Sequence, residues 1–199
     1  GLDFQPEKVE RAARAALVAT SEAAVREGRL WSVSAQASRA FWTTIYTATL
    51  EGLGAADDVA APGWLYEQFT QSHRYAPFPD ALPALRELKA HGYRLGLVSN
   101  WEGWLPSVLD RTGLMPLLDA VAVSGLEGVE KPDPALFRIA LERMGVEPAR
   151  AVYVGDSPSH DVQPALALGM GAVLIDRHGR HDGVHRPTIA SLGLLAAVL

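Results

Sequence analysis

The chain has 199 residues, 48% of them hydrophobic, with 18 Lys plus Arg against 23 Asp plus Glu and a formal charge of -5. It has no cysteine, which excludes a disulfide framework, a thiolate nucleophile and a Cys-based zinc or iron–sulfur centre. The acidic balance offers nucleic acid no Lys/Arg-rich face, and no uninterrupted apolar run approaches the roughly 18 residues of a membrane span.

In chain order, Pro6 suits the first turn of a helix in which Val9, Ala13, Ala16, Leu17 and Thr20 share one face up to Gly28. A second helix is expected from Ser34 through Phe41, Trp42, Ile45, Tyr46 and Leu50 to Gly52 or Gly54, and a third holds Trp64, Leu65, Tyr66 and Phe69. No strand-like alternation intervenes, so residues 1–76 read as an all-helical lobe. From residue 77 the texture changes. An amphipathic helix over Pro79 to His91 precedes a buried strand at Arg94 to Ser99 (RLGLVS), then come a helix at Leu105 to Thr112 and a strand at Ala120 to Ser124. A helix at Pro134 to Met144, a strand at Ala151 to Val154, a helix at Val162 to Leu168, a strand at Ala172 to Ile175 and a C-terminal helix complete the pattern. Apolar runs this continuous, alternating with helices, predict a doubly wound α/β domain over 77–199, a parallel sheet covered on both faces.

Ligands of such sheets bind beyond the carboxyl ends of the strands. After the first run stand Ser99 and Asn100, which can donate to phosphate oxygens or serve as strand-end turn residues. After the second, Lys131 opens Lys131-Pro132-Asp133-Pro134, beside a helix N-terminus where an anion would bind; the plain alternative is a solvated lysine. After the third, Asp156 and Asp161 are two carboxylates across a turn into a helix, suited to a hard divalent cation and equally to a turn and a helix N-terminus. Trp101 and Trp104 follow Asn100 directly and either pack or line a substrate entrance. His178, His181 and His185, near Asp176 and Asp182, read as a polar surface loop, with a transition-metal site as the alternative.

The succession VSN, KPDPALF and GDSPSHDVQPALALGM resembles motifs two, three and four of the haloacid dehalogenase-like hydrolases, over Pro77 to about Arg180. The helical first half is similar to the cap of the members that carry a helical bundle there. The resemblance implies that Ser99 and Asn100 hold a transferring phosphoryl group, that Lys131 steadies it and the nucleophile, and that Asp156 and Asp161 hold magnesium. A motif-one aspartate would attack phosphorus to give an aspartyl-phosphate, with a second aspartate two residues on as acid and base. Gly155-Asp156-Ser157 with Asp161 looks like the phosphatase branch, so the implied substrate is a small phosphorylated metabolite. A 2-haloacid dehalogenase-type hydrolase is the runner-up. The acidic, cysteine-free composition fits a cytoplasmic enzyme without nucleic-acid or membrane partners.

One part of the pattern is missing: no apolar run ends in Asp-x-Asp. Asp3 lacks the second acid and an upstream strand, and Asp176 follows a strand but continues Arg177-His178-Gly179. Removing a central strand of some five buried apolar residues would cost on the order of 10 kcal/mol, comparable with a domain's whole stability. The expectation is therefore an N-terminally truncated phosphatase, with which the absence of a leading Met agrees; the alternative is a catalytically dead protein of the same fold that binds a phosphorylated ligand or a partner.

Overall fold

A computed structural model describes residues 4–55, 59–181 and 183–199; Asp3 and Asp182 lie outside them. Helices α1 (Pro6–Arg26), α2 (Ala35–Gly52) and α3 (Ala61–Phe69) form the first part. Ser34 caps α2, its hydroxyl accepting from the Ala37 amide at 3.1 Å. The apolar faces of α1 and α2 meet through Ala16, Ala24, Phe41 and Ile45, and the Trp31 ring stacks on Phe41 at 4.7 Å. No helix among the described residues is long and apolar enough to cross a membrane.

The second part runs α4 (Ala81–Ala90), β1 (Gly96–Ser99), α5 (Leu105–Arg111), β2 (Ala120–Val123), α6 (Ser124–Glu127), α7 (Pro134–Met144), β3 (Val152–Gly155), α8 (Gln163–Ala167), β4 (Gly171–Ile175) and β5 (Thr188–Ile189). All pairings are parallel, with β1 beside β2 in one sheet and the order β3-β4-β5 in another. Each sheet is covered on both sides, as the continuous apolar runs required: in β4, Ala172 and Leu174 pack towards α7 and α8, while Val173 packs with Leu88 of α4.

Helix α7 ties the sheets together. Asp133 caps it at 2.8 Å from the Ala135 amide, Pro134 fills the first turn, and Gly145 ends it at φ 60°. Its Leu136 and Ala140 pack with Ala122 of β2, whereas the neighbouring Phe137 and Leu141 pack with Val162, Ala172 and Leu174.

Three elements differ from expectation. The C-terminal helix is a 3-10 turn over Leu192–Ala197, preceded by the two-residue strand β5; it buries Leu195 alone, too little apolar surface to fix a full α-helix. The helix expected from Val162 begins earlier, as a π turn over Pro158–Val162 in which the Val162 amide reaches back to the Ser157 carbonyl at 3.2 Å. The second strand ends at Val123, and Ser124 opens the short α6.

Candidate active site

Strands β1 and β3 do not pair with each other, and between them lies a cavity of about 1170 Å³. Leu97 and Val98 line one wall and Val152 and Val154 the other, with Leu88 of α4 and Met144 of α7 closing its two faces. The burial of the strands runs opposite to that of an unbroken sheet: β2 and β4 are buried, while β1 and β3, which stand in the middle, are half-exposed. At the carboxyl end of this slot Ser99, Lys131, Asp156 and Asp161 line the same cavity.

Lys131 and Asp161 form its most buried polar contact. The Lys131 Nζ donates to Asp161 Oδ1 at 2.6 Å, and the two side chains are 13% and 4% exposed. The other carboxylate oxygen accepts the Ser157 amide at 2.9 Å, a bond supplied by the π turn. Gly155 makes the close approach possible, since a Cβ there would overlap the Asp161 carboxylate. Tyr153 completes the group. It lies 3.2 Å from Lys131 Nζ and 3.3 Å from Asp161 Oδ1, and its hydroxyl donates to the Val98 carbonyl at 3.1 Å across the slot. Burial, and next the Asp161 charge, push the Tyr153 phenol well above its ordinary range, so it remains a donor.

Asn100 binds the two loops to each other. Its Oδ1 accepts the Lys131 amide at 2.7 Å and its Nδ2 donates to the Lys131 carbonyl at 2.9 Å. Trp101 and Trp104 do not line the slot; they pack edge-on against each other at 5.5 Å and beside Tyr75, and both indole Nε1 atoms are buried with no hydrogen-bond partner.

The donor set suits a hard cation. Asp156 is exposed at the mouth of the slot, while Asp161 is held by Lys131 and Ser157, leaving unused lone pairs on two carboxylates that share one cavity. Magnesium takes one or two carboxylates and keeps its waters, so these two acids fit it. Among the described residues no group of three or more His, Asp and Glu forms a fuller cage, at the histidine loop or elsewhere, and His185 Nε2 is instead 2.9 Å from the Ala172 carbonyl. The carboxylate of Asp176 accepts the Arg180 and His181 amides at 2.9 and 2.8 Å, which ties it into its own loop and draws its pKa down.

Three residues that sequence patterning did not single out have a place near the site. Tyr153 reads simply as a member of an apolar strand. Glu102 and Glu130 look like solvated loop acids, yet they are 7% and 6% exposed; the only signal is that each stands within two residues of Asn100 or Lys131.

Residues 4–169 match the family of haloacid dehalogenase-like hydrolases. Human haloacid dehalogenase-like hydrolase domain-containing protein 3 is 30% identical over 201 residues, covering 100% of this chain and 79% of that protein. Phosphoserine phosphatase of Thermus thermophilus is 37% identical over 139 residues, 69% of this chain and 55% of that enzyme. Among solved structures, the HAD phosphatase of Thermococcus onnurineus superposes with a TM-score of 0.64 at 26% identity, over 96% of this chain and 90% of that one. With a family match over most of its length and a relative of which it spans nearly four-fifths, the chain belongs to the haloacid dehalogenase-like hydrolases.

Proposed function

We propose that the chain is the larger part of a magnesium-dependent phosphomonoester hydrolase acting on a small phosphorylated metabolite, whose helical lobe, residues 1–76, is the cap and whose nucleophile comes from a strand outside these 199 residues. The observation that carries this reading is the convergence of Ser99, Lys131, Asp156 and Asp161 on one end of an open slot between two parallel strands. Neighbouring strands in a sheet stand about 4.8 Å apart, and one extended segment placed at that spacing between β1 and β3 would present its last residue to those four. The phosphatase names among the relatives support the reaction class.

In this reading the Ser99 hydroxyl donates to the phosphoryl oxygens and Lys131 places a point charge beside them. Asn100, whose amide is engaged by the Lys131 backbone, acts by setting where that lysine stands. Tyr153 and Asp161 keep the lysine from swinging out to water. One lysine against two carboxylates leaves the site anionic and repels a phosphate dianion. A magnesium ion on Asp156 and Asp161 would supply the missing positive charge.

The test is the chain extended ahead of Gly1 by an apolar strand ending in Asp-x-Asp, assayed on a panel of phosphomonoesters. Hydrolysis that needs magnesium and falls at least about a hundredfold in Asp156→Asn is expected. Activity indifferent to chelator and to Asp156→Asn overturns the metal assignment, and full activity in the unextended chain overturns the external nucleophile.

A further inference from the structure

Among the described residues, two carboxylates of the α/β part, Glu102 and Glu130, are buried without a cationic partner, and both are satisfied by the helical lobe. Glu130 accepts the Trp31 amide at 3.1 and 3.2 Å, the Ser32 amide at 2.8 Å and the Ser32 hydroxyl at 2.6 Å. Glu102 accepts the Ser38 hydroxyl at 2.8 Å and the Tyr66 hydroxyl at 2.9 Å. Burial and the Glu102 carboxylate push the Tyr66 phenol up to about 12, so it too stays a donor.

The first contact has a fixed direction. A hydroxyl has one proton, and that of Ser32 goes to Glu130. The 2.6 Å contact between the Ser32 and Ser124 hydroxyls therefore has Ser124 as donor, and Ser124 in turn accepts the Trp101 amide at 2.9 Å. The result is a one-way chain from the Trp101 amide through Ser124 and Ser32 to the Glu130 carboxylate. One end adjoins Asn100 and the other adjoins Lys131, which are already joined through the Asn100 side chain. Packing leaves no slack there: a Cβ on Gly125 would fall on the backbone of Glu102 and Gly103. Chains of hydrogen bonds ending on a charge in a low-dielectric interior strengthen one another.

We infer that Glu130 and Glu102 are positioning residues, through which the lobe's seat on the α/β part and the geometry of the Asn100 and Lys131 loops are set together. A carboxylate is required at Glu130 because every group facing it is a donor; a glutamine would turn its NH2 towards N–H groups. The consequence for phosphate binding rests on the proposed phosphatase reading, whereas the coupling itself does not.

The two are separated by amide hydrogen exchange, read by NMR on the 199-residue chain without ligand, and by titration with inorganic phosphate in the presence of magnesium. In Ser32→Ala, exchange at the Trp101 and Lys131 amides should quicken about tenfold, the Asn100 side-chain amide signals should shift, and β4 should be unchanged. The phosphate dissociation constant should rise about tenfold. Changes confined to residues 31 and 32 overturn the coupling, whatever phosphate does. Changes that reach residues 100, 101 and 131 uphold the coupling whatever phosphate does, and failure of phosphate to bind the chain extended by the Asp-x-Asp strand overturns the phosphatase reading. Ser38→Ala, which strips one bond from Glu102, is the second variant should Ser32→Ala fail to fold: quickened exchange at Trp101 supports the inference, and an unaltered rate there overturns it.

Discussion

The Tyr153 hydroxyl donates to the Val98 carbonyl at 3.1 Å and so joins two strands, β3 and β1, that share no backbone hydrogen bond. Its position also puts a protonated phenol beside the Lys131–Asp161 pair. Removing the hydroxyl leaves a half-buried carbonyl without this donor and Lys131 Nζ without the phenol oxygen it donates to. Tyr153→Phe should lower stability by about 1–2 kcal/mol in a denaturant titration. An unchanged midpoint would mean that the bond across the slot contributes nothing.

Lys131 and Asp161 are too buried for either charge to be left alone. Lys131→Met should destabilise the chain by about 3–5 kcal/mol, because Asp161 keeps a desolvated charge without its cation. Asp161→Asn in the Lys131→Met background should recover part of that loss. Two independent, additive losses in the double-mutant cycle would contradict direct pairing.

The proposed magnesium binding is measurable without turnover. At a tenfold excess over its dissociation constant the ion adds about 1.4 kcal/mol, which raises Tm by about 4 °C in a chain of this size. Asp156→Asn should reduce the shift to under about 1 °C. An equal shift in both proteins would place the ion elsewhere.

Acid stability has a separate source. Asp80 accepts both Arg177 guanidinium nitrogens, at 2.8 and 3.0 Å, the Ser191 hydroxyl at 2.7 Å and the Leu192 amide at 2.8 Å; the Arg177 bonds foremost hold its pKa far below the ordinary 3.8. A carboxyl with a depressed folded-state pKa stabilises at pH values above its unfolded pKa and ceases to do so as pH falls through the lower one. Thermal midpoints should therefore drop as pH falls below about 4, and Asp80→Asn should be less stable at neutral pH with a shallower acid limb. A parallel pair of curves would refute the assignment.

Most of the α/β half was legible because its strands are unbroken apolar runs that stop at polar residues, as at Val98-Ser99-Asn100 and Val154-Gly155-Asp156. The same junctions pointed to five residues with no knowledge of the third dimension: Ser99, Lys131, Asp156 and Asp161 line the slot, and Asn100 is one bond away. The absence of any apolar run before an Asp-x-Asp pair was legible too, and the slot between β1 and β3 is where the proposed reading places such a strand. What patterning could not supply was partnership. Glu130 precedes a lysine in a loop and reads as solvated, and nothing local shows that Ser32, 98 residues earlier, buries it. Trp101 and Trp104 have the composition of a substrate wall, yet Tyr75 and Leu105 pack them away from the slot. The end of the chain misled for a thermodynamic reason: six residues burying one leucine gain too little to propagate an α-helix.

Helix α7 touches one sheet through Leu136 and Ala140 and the other through Phe137 and Leu141. Two sheets without a shared strand would ordinarily be two folding units, each free to melt at its own temperature. A single helix buried in both makes the loss of either expose apolar surface on the other, so the two sheets should unfold in one cooperative step. Truncating Leu136 or its neighbour Phe137, on behalf of different sheets, moves the same transition.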